Sequence, residues 1–232
     1  MTVDLRGVTV VLLPGTGSDD DYVYRAFAGP LHDAGAVVVT PTPEPAQLVA
    51  GYRHALDDAA RSGPIAVGGV SIGAAVATSW ALAHPTKALA VLAALPAWTG
   101  APDDATAALA ARYSAQALRR DGLASAIGQM RQSSPAWLAA ELTRSWVGQW
   151  PDLPEAMESA ADYVAPTTEE LETLAVPMGI AAAIDDPVHP IEVAFEWVSA
   201  APRAALQTFT LDELGADPAV LGAACVQALL GL

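Results

Sequence analysis

A serine flanked by two glycines is the first feature of this chain that could do chemistry. Residues 69–73 read Gly-Val-Ser-Ile-Gly, the pattern G-x-S-x-G. In that pattern the serine lies on a sharp turn between a strand and a helix, and small residues on both sides let the backbone bend and leave Oγ exposed. An apolar run, residues 65–70, precedes the serine, and an alanine-rich stretch with helical character follows it. The context predicts a nucleophile at Ser71 rather than an ordinary glycine-rich joint.

A serine nucleophile needs a base, and one of the four histidines is placed to be that base. Serine attacks poorly unless a positioned group accepts its proton. His32 and His54 fall inside predicted helices, and His84 would lie about 18 Å from Ser71 at about 1.5 Å per helical residue. His189 instead follows a predicted strand, at the sheet edge where sites of open α/β sheets form. His189 is therefore the candidate base, and a purely structural role within its own turn is the alternative.

The elements that would position these residues alternate between strand and helix. Apolar and β-branched runs predict strands at 8–13, 36–40, 65–70, 88–95, 176–184 and 205–211, and the first two of these are predicted to be buried. Helices are predicted between and after these runs, at 22–34, 46–61, 72–83, 191–199 and 218–230. This order, with short joints, predicts an α/β fold with a mostly parallel sheet of about six strands and helices on both faces.

Residues 101–174 break the alternation, because no β-branched run occurs there and several helices can be read instead. We predict a core formed by residues 1–100 and 175–232, with 101–174 inserted as a helical cap. Large apolar side chains near or within the cap could line a substrate pocket or form the cap's own core; they are Trp98, Met130, Trp137, Trp146, Trp150 and Met157. Trp98 and Trp146 are the substrate-binding candidates.

With the serine turn and the element order in hand, the chain resembles the α/β-hydrolase superfamily over most of its length. In that family the loop after the first strand usually carries His-Gly; here it reads Leu-Pro-Gly-Thr-Gly from residue 13, with Pro14 in the histidine's place. The resemblance implies an oxyanion hole formed by the Thr16 and Ile72 N–H groups, with Gly15 beside the substrate. Such donors, fixed by backbone, stabilise a developing oxyanion without reorganising.

The resemblance also implies an acid after the next-to-last strand. Residues 185–190 read Asp-Asp-Pro-Val-His-Pro and resemble the family's D-x-x-x-P. Asp186 aligns best, and Asp185 is the alternative. The order Ser71 then Asp186 agrees with that family.

The chain departs from the family after its last strand, where the catalytic histidine is expected. Residues 211–218 contain no histidine, and none follows His189. Besides His189, the base or its orienting group could be one of the carboxylates of this stretch: Asp212, Glu213 or Asp217. A carboxylate would need a raised pKa to be a useful base.

The composition of the chain disfavours some classes of binding partner and some cellular compartments. The net charge of −15 disfavours binding to nucleic acid and to anionic membranes. The single cysteine, Cys225, suits a reducing compartment. Residues 1–7 lack the features of a signal peptide, and no apolar run is long enough to span a bilayer. We predict a cytoplasmic protein that acts on a small-molecule acyl substrate, with no metal and no cofactor.

Two functions remain open. The first is a serine hydrolase that acts on a small ester, thioester or related acyl compound through an acyl-enzyme at Ser71. The second is a hydrolase-fold protein that binds a ligand or partner, or supports a non-hydrolytic step. The distance from His189 Nε2 to Ser71 Oγ discriminates between them: hydrogen-bond reach favours the enzyme, and more than about 7 Å favours the alternative. Nucleotide binding at residues 15–20 is disfavoured, since Asp20 replaces the last glycine of G-x-G-x-x-G.

Overall fold

Six strands form one sheet in the computed structural model, which describes residues 3–232 of the 232-residue chain. The strands, in chain order, are β1 (Thr9–Leu13), β2 (Val37–Val39), β3 (Ile65–Val70), β4 (Ala88–Ala94), β5 (Met178–Ala183) and β6 (Ala204–Phe209). Their spatial order is β2-β1-β3-β4-β5-β6, and every neighbouring pair is parallel. The predicted parallel six-stranded sheet is confirmed. The signal-peptide prediction rested partly on Met1 and Thr2, which lie outside the described residues.

Helices cover both faces of this sheet. They are α1 (Asp20–Asp33), α2 (Leu48–Ala59), α3 (Ile72–Ala83), α4 (Thr106–Ser133), α5 (Ala136–Gln149), α6 (Leu153–Ala161), α7 (Thr168–Leu171), α8 (Ile191–Ala200), α9 (Leu211–Ala216) and α10 (Ala219–Leu230). One apolar core joins the sheet to α2, α3 and α8. A second core, on the other face, joins it to α1 and α10. Both faces of β3 are therefore buried, which explains why its sequence is apolar throughout.

The prediction that residues 36–40 form a buried strand is wrong in part. A strand forms there, but Val37 is 54% exposed and Val39 is 40% exposed. β2 lies at the edge of the sheet and pairs only with β1. β-Branched residues favour strands at edges as well as in the centre, so the composition of the run did not reveal its position.

Four helices, α4 to α7, connect β4 to β5 and form the helical insertion. Gly122 interrupts α4 with φ +77° and ψ 169°, so this element consists of two helices that meet at a kink. The insertion has a small apolar core of its own that includes Leu118, Met130 and Trp146. No helix within residues 3–232 is long and apolar enough to cross a bilayer.

The segment after β6 forms a helix that the sequence analysis did not predict. α9 begins with a capping box, in which the Thr210 hydroxyl accepts from the Glu213 N–H while the Glu213 carboxylate accepts from the Thr210 N–H. The sequence T-L-D-E matches that motif. This helix turns Leu211 and Leu214 toward the carboxyl edge of the sheet.

Candidate active site

The chain turns sharply at Ser71, between the end of β3 and the start of α3. Ser71 has φ +55° and ψ −116°, a conformation that few residues other than glycine adopt. The turn is tight because α3 approaches the loop after β1: a Cβ on Gly73 would lie 2.2 Å from the Leu13 carbonyl oxygen, and one on Gly69 would lie 2.4 Å from it. Only glycine fits at either position, which is the physical reason for the G-x-S-x-G spacing. The Ser71 N–H donates to the Ala94 carbonyl of β4, which holds the turn against the sheet.

The loop after β5 brings His189 to this serine. His189 Nε2 lies 3.1 Å from Ser71 Oγ, and His189 Nδ1 lies 2.8 Å from Asp186 Oδ2. The other oxygen of Asp186 accepts from the Val188 and His189 N–H groups, at 2.8 and 3.3 Å. Serine, imidazole and carboxylate therefore form one continuous chain of hydrogen bonds, although the imidazole comes from the β5 loop.

Asp186 is held in its charged form. Burial alone would raise the pKa of Asp186, but hydrogen bonds from the His189 ring and from two backbone N–H groups outweigh it and lower the pKa below its ordinary value. A carboxylate at Nδ1 favours the tautomer with the proton on Nδ1, because that N–H is then the donor. Nε2 is left with its lone pair directed at Ser71 Oγ. This is the arrangement that a general base requires.

The alternative carboxylates have other partners. Asp185 accepts from the Leu211 N–H at 2.8 Å and so connects the β5 loop to α9. Glu213 completes the capping box of α9, and Asp217 accepts from the Ala219 N–H at the start of α10. Asp212 lies in the exposed first turn of α9.

The remaining histidines lie elsewhere in the fold. His54 is exposed and lies 3.3 Å from Asp58. His84 stacks on Trp80 at the far end of α3. His32 lies in the last turn of α1. These positions agree with the prediction that none of the three serves Ser71.

Two backbone segments stand next to Ser71 where the oxyanion donors were predicted. Ile72 is the first residue of α3, and the first N–H groups of a helix have no acceptor inside it. On the facing loop, a Cβ on Gly15 would lie 3.4 Å from the Val70 carbonyl oxygen and 3.7 Å from Ser71 Cβ. Thr16 follows Gly15 and lines the same cavity as Ser71. The loop of residues 14–19, which we call the β1 loop, is thus in contact with the serine turn.

Tyr52, in α2, holds the β1 loop through a hydrogen bond. Its hydroxyl donates to the Pro14 carbonyl at 3.0 Å, and the side chain is fully buried between α2 and the sheet. Burial raises the pKa of Tyr52 far above its ordinary value, so the hydroxyl remains a donor at any working pH. The role of Tyr52 could not be predicted from the sequence, because the contact joins positions that are 38 residues apart.

Replacing Tyr52 by phenylalanine is expected to destabilise the protein by about 1–2 kcal/mol, since the Pro14 carbonyl would lose its buried partner. Denaturant unfolding checks this value, with Tyr24→Phe as the control because Tyr24 is 45% exposed. An unfolding free energy equal to that of the wild type would contradict the assigned role of Tyr52.

A cavity of about 620 Å³ lies between the serine turn and the helical insertion. Ser71, His189 and Asp186 lie on its wall together with the predicted binding residues Gly15, Trp98 and Trp146. Other lining residues were not predicted from the sequence, and they include Tyr22, Leu138, Leu142, Leu211 and Leu214. Trp150, grouped at first with the pocket tryptophans, is 41% exposed at the end of α5 and is not among the residues that line this cavity.

Comparison with known proteins identifies the fold. No protein-family model matches this chain, and no curated protein matches it either. Solved structures match it over nearly its whole length. A putative non-heme bromoperoxidase, BpoC from Mycobacterium tuberculosis H37Rv, superposes with a TM-score of 0.71 at 16% identity and covers 97% of this chain and 92% of its own.

Two further structures agree. A thermophilic esterase from Thermogutta terrifontis has a TM-score of 0.65 at 17% identity, with 88% of this chain and 82% of that chain covered. The enol-lactonase from Burkholderia xenovorans LB400 has a TM-score of 0.66 at 16% identity, with 89% and 84% covered. At these identities the likeness shows the fold, and the predicted resemblance to α/β hydrolases is confirmed at that level.

Proposed function

We propose that this protein, which has the α/β-hydrolase fold, is a serine hydrolase that cleaves a small ester, thioester or related acyl compound. One observation carries the proposal: His189 Nε2 stands 3.1 Å from Ser71 Oγ and its other ring nitrogen stands 2.8 Å from Asp186. This distance is within hydrogen-bond reach, and it favours the enzyme over a binding protein by the criterion that the sequence analysis set.

The reaction follows from these contacts. Ser71 Oγ attacks the acyl carbon while His189 Nε2 accepts the hydroxyl proton, and the negative charge that develops on the carbonyl oxygen is stabilised by the Thr16 and Ile72 N–H groups. The bond to the leaving group then breaks, and His189 returns the proton to that group. A water molecule releases the acyl group from Ser71 by the same two proton transfers. Asp186 orients the imidazole and stabilises its cationic form in each half-reaction.

The position of the base in the chain is unusual, and the local geometry explains how it works. Asp186 and His189 lie three residues apart on one loop, and the Asp186 carboxylate accepts from backbone N–H groups of that same loop. The carboxylate thereby orders the turn that presents the imidazole. No residue after β6 is needed for the proton transfer.

The cavity supports an apolar acyl group. Its wall near Ser71 is formed by side chains such as Trp98, Leu95 and Met157, which offer apolar contact and little hydrogen bonding. A volume of about 620 Å³ lies within the usual range for small-molecule sites.

The single buried cysteine suits the cytoplasm, which remains our proposal for where the protein works.

A panel of p-nitrophenyl esters and acyl-CoA thioesters tests the proposal. We expect saturable hydrolysis of at least one class by the wild type and only background hydrolysis by Ser71→Ala. If folded wild-type protein hydrolyses no member of the panel while Ser71→Ala retains its fold, the non-hydrolytic alternative is favoured.

A further inference from the structure

Three residues near the end of α5 contact the β1 loop. Gln149 donates through Nε2 to the Ser18 carbonyl at 2.8 Å. The Trp146 indole packs on Gly17, where a Cβ would lie 2.8 Å from Nε1. Arg144 binds the Asp19 carboxylate with hydrogen bonds of 2.9, 3.0 and 3.1 Å. One helix of the insertion therefore contacts residues 17, 18 and 19 in succession.

Of these three residues, Arg144 is the one that forms ion pairs, and it has three carboxylate partners. Both of its terminal donor groups are engaged: besides Asp19 it lies 3.0 Å from Asp21 and 2.9 Å from Glu141. The Asp19 side chain is only 18% exposed, and its Oδ1 also accepts from the Tyr22 N–H as the N-cap of α1. Bidentate pairing of a guanidinium with a carboxylate fixes orientation as well as distance.

The backbone conformation of the β1 loop connects the restraint at Asp19 with the position of the Thr16 N–H. Gly17 has φ +68°, and the Ser18 N–H closes a turn on the Gly15 carbonyl at 3.0 Å. Thr16 lies between Gly15, whose carbonyl accepts this hydrogen bond, and Gly17. A loop that is held by Tyr52 at residue 14 and by α5 at residues 17–19 can keep the Thr16 N–H directed at one place without reorganisation, as an oxyanion donor requires.

We propose that Arg144 is a positioning residue for the oxyanion hole, and that it acts through Asp19 on the Thr16 N–H. The inference rests on the proposed function as far as it concerns catalysis. The insertion thus has a task besides lining the cavity, because docking of α5 sets the geometry of the loop that faces Ser71.

The main test compares Arg144→Ala with Arg119→Ala. Arg119 is a matched control, since its side chain is 47% exposed against 46% for Arg144 and it also pairs with two carboxylates, Glu155 and Glu158, but within the insertion. We expect Arg144→Ala to lower kcat about tenfold or more with KM within about twofold, since the loss falls on transition-state stabilisation. Arg119→Ala should retain wild-type kcat.

A charge variant and a transition-state analogue sharpen this test. Asp19→Asn keeps an acceptor for the Tyr22 N–H but loses the ion pair, so it should reproduce the loss in kcat, and the double variant with Arg144→Ala should lose little more. Arg144→Lys should regain part of the activity.

A trifluoromethyl ketone is the transition-state analogue. Ser71 Oγ adds to its carbonyl carbon, His189 accepts the hydroxyl proton, and the resulting oxyanion lies in the oxyanion hole. Its affinity should fall by the same factor as kcat.

Hydrogen–deuterium exchange of residues 16–19 separates this inference from the proposed function, because it needs no activity. Faster exchange there in Arg144→Ala, with Arg119→Ala unchanged, supports the positioning role even if the wild type hydrolyses no substrate. Exchange and kcat of Arg144→Ala equal to those of Arg119→Ala would overturn it. A change confined to KM would also overturn it, because it would assign Arg144 to substrate binding.

Discussion

Replacing His189 by alanine is expected to lower kcat for the best ester by about 10⁴-fold or more, and replacing Ser71 by alanine should do the same. The two side chains act as one unit, because the serine attacks only when the imidazole accepts its proton. The Ser71→Ala/His189→Ala double variant should therefore be no slower than the slower single variant. Initial rates under saturating substrate check this, with His54→Ala as a control at an exposed histidine.

The size of the loss in kcat in His189→Ala distinguishes a general base from a residue that takes no part in the proton transfer. A loss of less than about tenfold, or a loss that multiplies in the double variant, would contradict the assignment. It would direct attention to the carboxylates of α9, of which Asp212 has no capping task. Circular dichroism of each variant confirms that the fold is retained.

Replacing Asp186 by asparagine should lower kcat by about 10³- to 10⁴-fold with little change in KM. An amide at this position can hold the wrong tautomer of the imidazole and cannot stabilise its cation. Asp185→Asn is the matched control on the neighbouring residue. It keeps an acceptor for the Leu211 N–H and should retain activity within about tenfold of wild type. Equal losses in the two variants would contradict the distinction between them.

Asp186 should also affect how the free energy of unfolding depends on pH. Its pKa is below the ordinary value of 3.8 in the folded state, so its contribution to stability is present at neutral pH and is lost as the pH falls through that folded value. Unfolding free energies measured between about pH 6 and pH 3 should fall less steeply in Asp186→Asn than in the wild type. In this pH range the sign of the difference is opposite to that expected for a carboxyl with a raised pKa.

Local sequence patterns were sufficient to predict the serine turn and the layered architecture. The serine at residue 71 is recognisable because the steric demand of its turn is met by glycines at fixed spacing, and the parallel sheet follows from runs that are apolar on both faces. Asp186 is implied by the resemblance of residues 186–190 to the D-x-x-x-P of α/β hydrolases, and His189 is the candidate base because it lies on the same loop at a strand end. For His189 the sequence left a structural role open, since the path of that loop over Ser71 depends on packing.

The long-range contacts that hold the site residues in place could not be predicted from local sequence patterns. Tyr52 reaches Pro14 across 38 residues, and Arg144 reaches Asp19 across 125 residues. Such contacts depend on how the insertion docks on the sheet, which no local pattern encodes. The exposed position of β2 was missed for a related reason, because strand order and not composition decides which strand lies at an edge.

Covalent labelling of Ser71 tests the central claim most directly. The claim is that the turn after β3 presents an activated hydroxyl to the cavity. Incubation with a fluorophosphonate, followed by intact-protein and peptide mass spectrometry, should show one adduct per chain on Ser71, none on Ser71→Ala, and labelling that is slower by orders of magnitude on His189→Ala. Folded wild-type protein that stays unlabelled, or that is labelled at another residue, would contradict the account.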